Sequence, residues 1–325
     1  MSIPPRLIGV NDQRFVPTVT QLRVFVAVAE RLHFRQAAAD LGLSQPSLSQ
    51  SLATLEDGLG TRLVERSTRT VFLTPEGDAL LPAAREALRA VDDFVDLAVG
   101  GGGPLSGPLR LGLIPTAAPY LLPGLLTGLA RRHSDAQPRV VEDQTARLLE
   151  ALRAGTLDVA VLAVPTGATG VTEVPLYREP FALVVPAGHE LDGRDDLGLD
   201  VLGTQPLLLL DEGHCLRDQT LDLCRRVSAP VLGRGDTRAA SLATAVRCVA
   251  GGLGVTLVPE SAVATETLDP ALGVARFADP APGRTMGLVM RSATARGGGY
   301  AELGRLVAEV AVADCGATAV AEPVS

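Results

Sequence analysis

The sequence predicts an α+β multidomain protein: an N-terminal winged helix-turn-helix, a long linker helix and a C-terminal domain of two α/β subdomains. Three observations support this fold class. Two short helical repeats of apolar residues precede a capped third helix, a long apolar seam follows, and the rest of the chain alternates strand-like and helix-like segments. The length of 325 residues and the 46% hydrophobic content are sufficient for packed cores in two or three domains.

Residues 20–74 have the plan of a winged helix-turn-helix, after an N-terminal extension over residues 1–19. Apolar residues recur at helical spacing in two consecutive short runs. Gly42 can take the positive φ that ends the second helix, Ser44 can cap the third helix, and Pro46 suits its first turn. These start and stop signals therefore predict helix, turn and capped helix in that order.

The outward face of the third helix and the segment after it predict contacts to DNA. Gln can read adenine edges in the major groove, and Ser can reach bases or phosphates. Residues 63–74 predict a two-stranded wing whose arginines meet phosphates, a contact that positions the protein without specifying sequence. The alternative is a small helical bundle with a polar third helix. The predicted contact residues are Gln45, Ser47, Ser49, Gln50, Arg66 and Arg69.

A long helix is predicted over residues 75–99, because Pro75 is suited to its first turn and Glu76 and Asp78 favour its positive end. Its apolar residues step by four and three, which is typical of a coiled-coil seam and predicts a dimer that reads two half-sites. The alternative is a helix packed on its own domain. Residues 100–107 are rich in glycine and predict a flexible hinge. The seam consists of Leu80, Ala84, Ala87, Val91, Phe94 and Ala98.

Residues 108–312 alternate apolar strand-like segments with helical ones, which predicts an α/β fold with largely parallel sheets and ligand crevices at strand ends. We expect two subdomains, with the chain crossing near residues 175–180 and returning near 283–288. The predicted limits are about 108–177 and 285–312 for subdomain I, about 178–284 for subdomain II, and 313–325 for a C-terminal tail.

Composition and charge argue against several classes of protein. The net charge of −8 argues against indiscriminate nucleic-acid binding but is compatible with a local basic patch. The cysteines do not fit a secreted disulfide scaffold, and their spacing lacks the short repeats of zinc sites, so no metal is expected. There is no leader-like segment and no run approaching about 18 apolar residues. We therefore expect a cytoplasmic protein without membrane contact.

A pair of cysteines is the most informative chemical feature. Cys215 and Cys224 lie in the stretch 210–224, with His214 and Arg217 beside the first thiol. Adjacent cations or a helix N-terminus favour the thiolate, the form that attacks oxidants. On one helix the sulfurs would lie about 13 Å apart, at about 1.5 Å per residue, whereas a disulfide needs Cα atoms within about 7 Å. Joining them would require the helix to melt or slide. The alternative is that both are buried apolar residues.

Three segments resemble a known family. Residues 20–74 are similar to the DNA-binding head of LysR-type transcriptional regulators, and within that family 112–123 and 210–219 resemble the peroxide-sensing members. The resemblance covers about residues 20–312 and implies a periplasmic-binding-protein-like regulatory domain. The head resembles the family at Phe34, Ala37, Ala38, Ser44, Gln45, Pro46, Ser47, Leu48, Ser49, Leu55 and Glu56, and the other segments read GLIPTAAPYLLP and LDEGHCLRDQ.

The resemblance implies a role for each matched residue. Cys215 would be the peroxidatic cysteine and Cys224 the resolving cysteine of an intramolecular disulfide. The implied peroxide pocket contains Thr116, Thr145, His214, Asp218 and Arg284, and the implied DNA contacts are Gln45, Pro46, Ser47 and Ser49. The signal would be hydrogen peroxide, with no cofactor. Promoter DNA and RNA polymerase are the expected partners, with a homodimer through the linker helix and a homotetramer.

Structural readings remain open for the pocket residues. Thr116 and Thr145 could each cap the following helix, and His214 could bond only to backbone. Asp218 could stabilise the first turn of its helix, and Arg284 could be a surface charge.

Two other functional classes also remain open. One is a LysR-type regulator that responds to a small organic inducer and has incidental cysteines. The other is a thiol peroxidase or disulfide exchanger, which the absence of a C-x-x-C motif disfavours. We expect a regulator rather than an enzyme.

Overall fold

The computed structural model describes residues 15–66, 71–99, 105–227, 238–292 and 297–320. The chain forms two compact units that divide at residue 100. Among the helices in these ranges, none is long and apolar enough to cross a membrane.

The first unit begins with the predicted helix-turn-helix. Thr18 and Gln21 form a capping box at the first helix, and the Ser44 hydroxyl accepts the Ser47 N–H at 3.2 Å at the third. Gly42 follows the second helix with a φ of +63°, a conformation that glycine adopts without strain. These contacts confirm the predicted start and stop signals. The elements are α1 Val19–Arg31, α2 Phe34–Asp40, α3 Gln45–Leu59, β1 Val64–Arg66, β2 Val71–Leu73 and α4 Pro75–Val99.

The core of this unit fixes the orientation of α3. Leu48, Leu52 and Leu55 point inward, each at most 1% exposed, and pack with apolar residues of α1 and α2. The opposite face of α3 is therefore left to solvent. Strands β1 and β2 pair antiparallel as the predicted wing, with Val64 opposite Leu73.

The first half of the linker helix α4 packs on its own unit, and part of its predicted seam is exposed. In its first half, Ala84 is 6% exposed and packs into the core of the first unit, and the Arg85 Nη2 atom lies 3.0 Å from the Glu30 Oε1 atom of α1. The first half of α4 therefore packs on its own domain, as the alternative reading of the sequence proposed. On the predicted seam, Leu80 before Ala84 is 38% exposed, and Phe94 after it is 71% exposed. The helix thus presents apolar residues to the surface.

The second unit alternates strands and helices as predicted. A 3₁₀ turn at Leu199–Gly203 lies between β6 and β7. The elements are β3 Gly107–Leu113, α5 Ala118–Arg132, β4 Ala136–Glu142, α6 Thr145–Ala154, β5 Val159–Val164, β6 Val171–Pro186, β7 Leu209–Leu210, α7 Cys215–Arg226, β8 Arg238–Ala239, α8 Leu242–Ala250, β9 Thr256–Pro259, α9 Glu260–Glu266, β10 Leu272–Arg276, β11 Gly283–Arg291, α10 Gly297–Asp314 and β12 Thr318–Ala319.

The prediction of largely parallel sheets was wrong. The main sheet has the strand order β10-β6-β11-β5-β3-β4, with β9 and β12 also pairing with β6. Only the pairs β3–β4 and β3–β5 in this sheet are parallel within the described residues, and β6, β9, β10, β11 and β12 pair antiparallel. The physical reason is the double crossing, because the chain leaves one subdomain along β6 and returns in the opposite direction along β11.

Two hydrophobic cores meet at this crossing. Residues of β6 up to Tyr177 pack in the core of the first subdomain, and residues from Phe181 pack in the second core. Glu179 lies between them and pairs in register with Arg284 of β11. The two subdomains therefore share a pair of crossing strands. We propose that the predicted subdomain limits follow this crossing.

The predicted tail is partly built into the second unit. Cys315 is 4% exposed in the first core, and Thr318 of β12 pairs with Arg178 of β6. Residues 100–104 of the predicted hinge, like Arg69, lie outside the described residues.

Candidate functional site

A narrow cleft lies where three loops follow the carboxyl ends of β3, β4 and β7. The space that the lining side chains leave between them is small, about 160 Å³ including its opening to solvent. This is the kind of position at which α/β sheets bind ligands. In this structure the space admits no water-sized molecule, so a ligand enters only when lining side chains move. The lining residues are Ile114, Pro115, Thr116, Gln144, Thr145, Gly213, His214 and Cys215.

Cys215 is the first residue of α7 and carries a free, half-buried thiol. Burial raises the pKa of this thiol, and the nearby Arg284 guanidinium and the Thr145 hydroxyl partly offset that effect by lowering the pKa. Of the two neighbours that could favour the thiolate, His214 or Arg217, the second donates from Nη1 to the Leu210 carbonyl at 3.1 Å. Sequence reasoning had not connected Arg284 with the thiol, although its charge lowers the thiol pKa.

The two threonines at the cleft do not cap helices, so that structural reading is wrong for both. The residues at the N-cap positions of α5 and α6 are Ala117 and Gln144. The Thr116 hydroxyl accepts a hydrogen bond from Arg284 Nη1 at 2.7 Å. The Thr145 hydroxyl is buried beside the Cys215 thiol and has no nitrogen or oxygen partner among the described residues. A buried hydroxyl in that state can still bond to a small polar ligand.

Arg284 is a buried residue rather than the surface charge that one reading allowed. It is 3% exposed, its Nε donates to Glu179 Oε2 at 2.9 Å, and its Nη2 donates to the Thr116 carbonyl at 2.9 Å. Sequence reasoning missed Glu179. The available signal was a carboxylate close before the apolar run 181–185 of β6, where an unpaired charge would be costly.

His214 and Asp218 differ in their relation to the cleft. His214 lines it and is 8% exposed, at the N-cap position of α7 but without a side-chain capping bond. Asp218 is exposed in the first turn of α7 and is not among the lining residues. Its negative charge nevertheless contributes to the raised pKa of Cys215. The structure therefore favours the helix-end reading of Asp218.

Gln144 is a lining residue that sequence reasoning also missed. Its Nε2 donates to the Glu212 carbonyl at 3.1 Å, which holds the loop before Cys215. Gly213 in that loop has a φ of +92°, and an added Cβ would lie 2.3 Å from the Gln144 amide oxygen. The positive φ favours glycine here, and a larger residue would also displace the end of the Gln144 side chain.

Cys224 lies at the other end of α7, 1% exposed within the second hydrophobic core. The nine positions between it and Cys215 correspond to about 13 Å of helix. Both cysteines are free. Of the other two thiols, Cys248 is half-buried on α8, and burial and the nearby Glu179 raise the pKa of Cys315 to about 11.

Most of the predicted DNA-reading side chains are on the free face of α3. Gln45, Pro46, Ser47 and Gln50 are exposed, and Ser49 is half-buried. Arg66 ends β1.

A winged helix-turn-helix joined to a long helix and a two-subdomain α/β unit defines a DNA-binding transcriptional regulator. The profile described as "Bacterial regulatory helix-turn-helix protein, lysR family" matches residues 19–78, and the "LysR substrate binding domain" matches residues 102–311. The chain belongs to the LysR family, whose members are regulators rather than enzymes.

Known proteins similar to the chain are OxyR-type regulators. A "Probable hydrogen peroxide-inducible genes activator" of Mycobacterium leprae is 53% identical over 300 residues, covering 92% of this chain and 96% of that protein. A cysteine-to-serine variant of Corynebacterium glutamicum OxyR, hydrogen peroxide-bound, is 45% identical with a TM-score of 0.66, covering 94% and 95% of the two chains. A cysteine-to-aspartate variant of full-length Pseudomonas aeruginosa OxyR is 33% identical with a TM-score of 0.79, covering 94% and 99%.

Proposed function

We propose that this chain is a hydrogen-peroxide-responsive transcriptional regulator in which Cys215 is the sensing residue. The observation that carries the proposal is the cleft itself, where the Cys215 thiol lies near a buried cation and a hydroxyl that has no nitrogen or oxygen partner among the described residues. The names of the Mycobacterium leprae and Corynebacterium glutamicum proteins support peroxide as the signal.

The first chemical step is attack of the Cys215 thiolate on one peroxide oxygen. The S–O bond forms as the O–O bond breaks, which gives a sulfenic acid and a hydroxide that takes up a proton to become water. Arg284 favours the thiolate, since its positive charge opposes the effect of burial. The Thr145 hydroxyl can hold a peroxide oxygen because it has no nitrogen or oxygen partner among the described residues. His214 and Thr116 border the same space.

The second step joins the two cysteines. The Cys224 sulfur attacks the Cys215 sulfur, an S–S bond forms, and the sulfenic oxygen leaves as water. The two thiols together supply the two electrons that reduce peroxide. Because α7 holds the sulfurs about 13 Å apart, the helix must unwind before the bond can form. On the chain-entropy account, closing this short loop constrains the chain by roughly 2.5 to 3 kcal/mol.

That free energy is of the same order as typical allosteric couplings of about 1 to 3 kcal/mol. A disulfide in α7 can therefore bias the regulatory domain between two arrangements. We propose that the chain acts on promoter DNA in the cytoplasm as a dimer through α4, assembled as a homotetramer, and that RNA polymerase is its partner in transcription. Asp218 and the predicted DNA contacts, including Arg66 and Arg69, remain part of this proposal.

Trapping of sulfenic acid tests the proposal. The reduced full-length protein receives one equivalent of hydrogen peroxide in the presence of dimedone, and labelled peptides are identified by mass. We expect the label on Cys215. Cys248→Ser, which removes another half-buried thiol, is the matched control and should label like the natural chain, whereas Cys215→Ser should not label. Labelling that persists in Cys215→Ser would refute the assignment.

A further inference from the structure

Glu179 is a buried carboxylate with both oxygens engaged. It lies on β6 between the two hydrophobic cores and is 1% exposed. Its Oε2 accepts the Arg284 Nε–H at 2.9 Å, and its Oε1 accepts the Ser261 backbone N–H of α9 at 3.0 Å. The carboxylate therefore bonds at once to the arginine beside Cys215 and to a helix of the second subdomain.

Glu179 and Thr116 together fix the plane of the Arg284 guanidinium. Glu179 binds Nε, and Thr116 accepts from Nη1 through its hydroxyl and from Nη2 through its carbonyl. The guanidinium is rigid and has five N–H donors, so three contacts on three nitrogens define its orientation. Within the described part of the chain these bonds use one hydrogen on each of the three nitrogens, and the charge of the guanidinium so held lowers the pKa of the Cys215 thiol.

We propose that Glu179 is a positioning residue for the Cys215 reaction: it holds Arg284 beside the thiol and joins that arginine to α9. This inference rests on the proposed function, in which Arg284 assists attack by the Cys215 sulfur. Glu179 itself does not line the cleft and acts through Arg284. One carboxylate thus connects the reacting sulfur to the second subdomain.

The chemistry of the site requires a carboxylate at this position. In a glutamine one of the two carboxylate oxygens is replaced by an NH₂ donor, so in the same geometry either Arg284 or Ser261 would face a donor instead of an acceptor. It also leaves the buried guanidinium without its counter-charge. Glu179→Gln should therefore release Arg284 from its fixed orientation while changing the side-chain volume little.

The test uses the reduced full-length protein and two rates at Cys215. One is the reaction with hydrogen peroxide, and the other is alkylation by iodoacetamide as a function of pH, which reports the thiolate without peroxide. Both rates are measured for Glu179→Gln alone and in an Arg284→Gln background. The double-mutant cycle separates the coupling between Glu179 and Arg284 from nonspecific destabilisation. Glu179→Asp, whose shorter side chain keeps the charge, serves as a second variant if Glu179→Gln does not fold.

Asp158→Asn is the matched control. Asp158 is also buried, at 7% exposure, and binds the Arg110 guanidinium at 2.6 and 3.0 Å. It precedes β5, at the end of the sheet opposite the cleft. Asp158→Asn therefore weakens an ion pair in the same domain without contacting Arg284. Both Cys215 rates should be unchanged in this variant.

We expect Glu179→Gln to lower the peroxide rate constant about tenfold or more, because a small misplacement of a catalytic group has effects of that order. The pH midpoint of alkylation should move upward, and both effects should vanish in the Arg284→Gln background. Unchanged rates, a midpoint that moves downward, or losses that persist without Arg284 would each overturn the inference. If the natural chain is alkylated at Cys215 but does not react with peroxide, the proposed function fails. The role of Glu179 is then still tested by the pH midpoint of alkylation.

Discussion

At the residue scale, the reactivity of Cys215 is a balance between burial and one cation. Burial raises the thiol pKa, and Arg284, held by Glu179 and Thr116, lowers it in part. The resting thiol is therefore mostly protonated near neutral pH, which protects it from indiscriminate oxidation. Selectivity for peroxide would then come from the cleft rather than from a permanently ionised sulfur.

The pH dependence of the Cys215 reaction follows from the raised pKa. Because its pKa lies above the ordinary thiol value, the thiolate fraction should rise about tenfold per pH unit across the neutral range. We expect the second-order rate constant with peroxide to rise in the same proportion between pH 6 and pH 8, as measured by stopped-flow under pseudo-first-order conditions. A rate that is flat over this range would show an already ionised thiol.

Loss of the buried cation should slow the sensor. Replacing Arg284 by Gln removes the charge that favours the thiolate, so the peroxide rate constant should fall by about 10²-fold, the order found for other preorganised donors. The alkylation midpoint of Cys215 should rise in the same variant. Arg132→Gln, which removes an exposed guanidinium paired with Glu309 on α10, is the control and should leave the rate unchanged. Equal losses in the two variants would exclude a specific role for Arg284.

Local sequence signals predicted part of this site. Cys215, Thr145 and His214 stand at the starts of helices after strands, and their places could be anticipated from capping residues and from the resemblance. The Arg284–Glu179 pair could not be derived from local pattern, because 105 positions separate its partners. Such a contact depends on how two strands cross, which no short-range periodicity encodes.

At the element scale, strong local patterns were predicted well. The linker helix spans Pro75–Val99 in the structure, as its proline start and apolar seam indicated. Strand β6 runs from Val171 to Pro186, through the residues 175–180 where we expected only a crossing between subdomains. The sequence does not suggest a strand here, because the segment contains Pro175, Pro180 and charged residues, and proline normally disfavours central strands. The strand nevertheless crosses between the two cores. The mixed sheet was missed for the same reason.

Oxidation should unwind α7. The distance between the Cys215 and Cys224 positions on an intact helix exceeds disulfide reach, so backbone amides of Cys215–Arg226 should lose hydrogen-exchange protection after peroxide treatment. The measurement is exchange followed by peptide mass. Cys224→Ser forms the sulfenic acid without the crosslink and should keep α7 protected. Full protection in the crosslinked protein would disprove the unwinding step.

The exposed seam of α4 should support dimerisation. Phe94 is 71% exposed, and replacing it by Asp would place a charge in the proposed coiled-coil contact. We expect the dimer dissociation constant to rise by at least about tenfold, because buried aromatic contacts dominate such interfaces. Sedimentation equilibrium measures it. Leu268→Asp, at a residue 79% exposed in the second unit, is the control, and an unchanged dimer in Phe94→Asp would remove α4 from the interface.

At the scale of the whole molecule, the two compact units divide at residue 100 and separate two tasks. A chain of residues 101–325 should retain the Cys215 reaction and lose specific DNA binding, because the predicted contacts all precede the division. Fluorescence anisotropy with promoter fragments selected by the full-length protein measures the second property. For the full chain, affinity should fall steeply with salt, as expected for phosphate contacts. Specific binding by the truncated chain would contradict this division of labour.

The proposed disulfide between Cys215 and Cys224 is tested most directly by mass. The intact and peptide masses of the reduced full-length protein are measured before and after a stoichiometric pulse of hydrogen peroxide. We expect a loss of two hydrogens, located in a crosslink between the peptides that contain Cys215 and Cys224 and reversed by a thiol reductant. A Cys215 that stays reduced, or gains oxygen without ever forming that bond, would contradict the proposed switch.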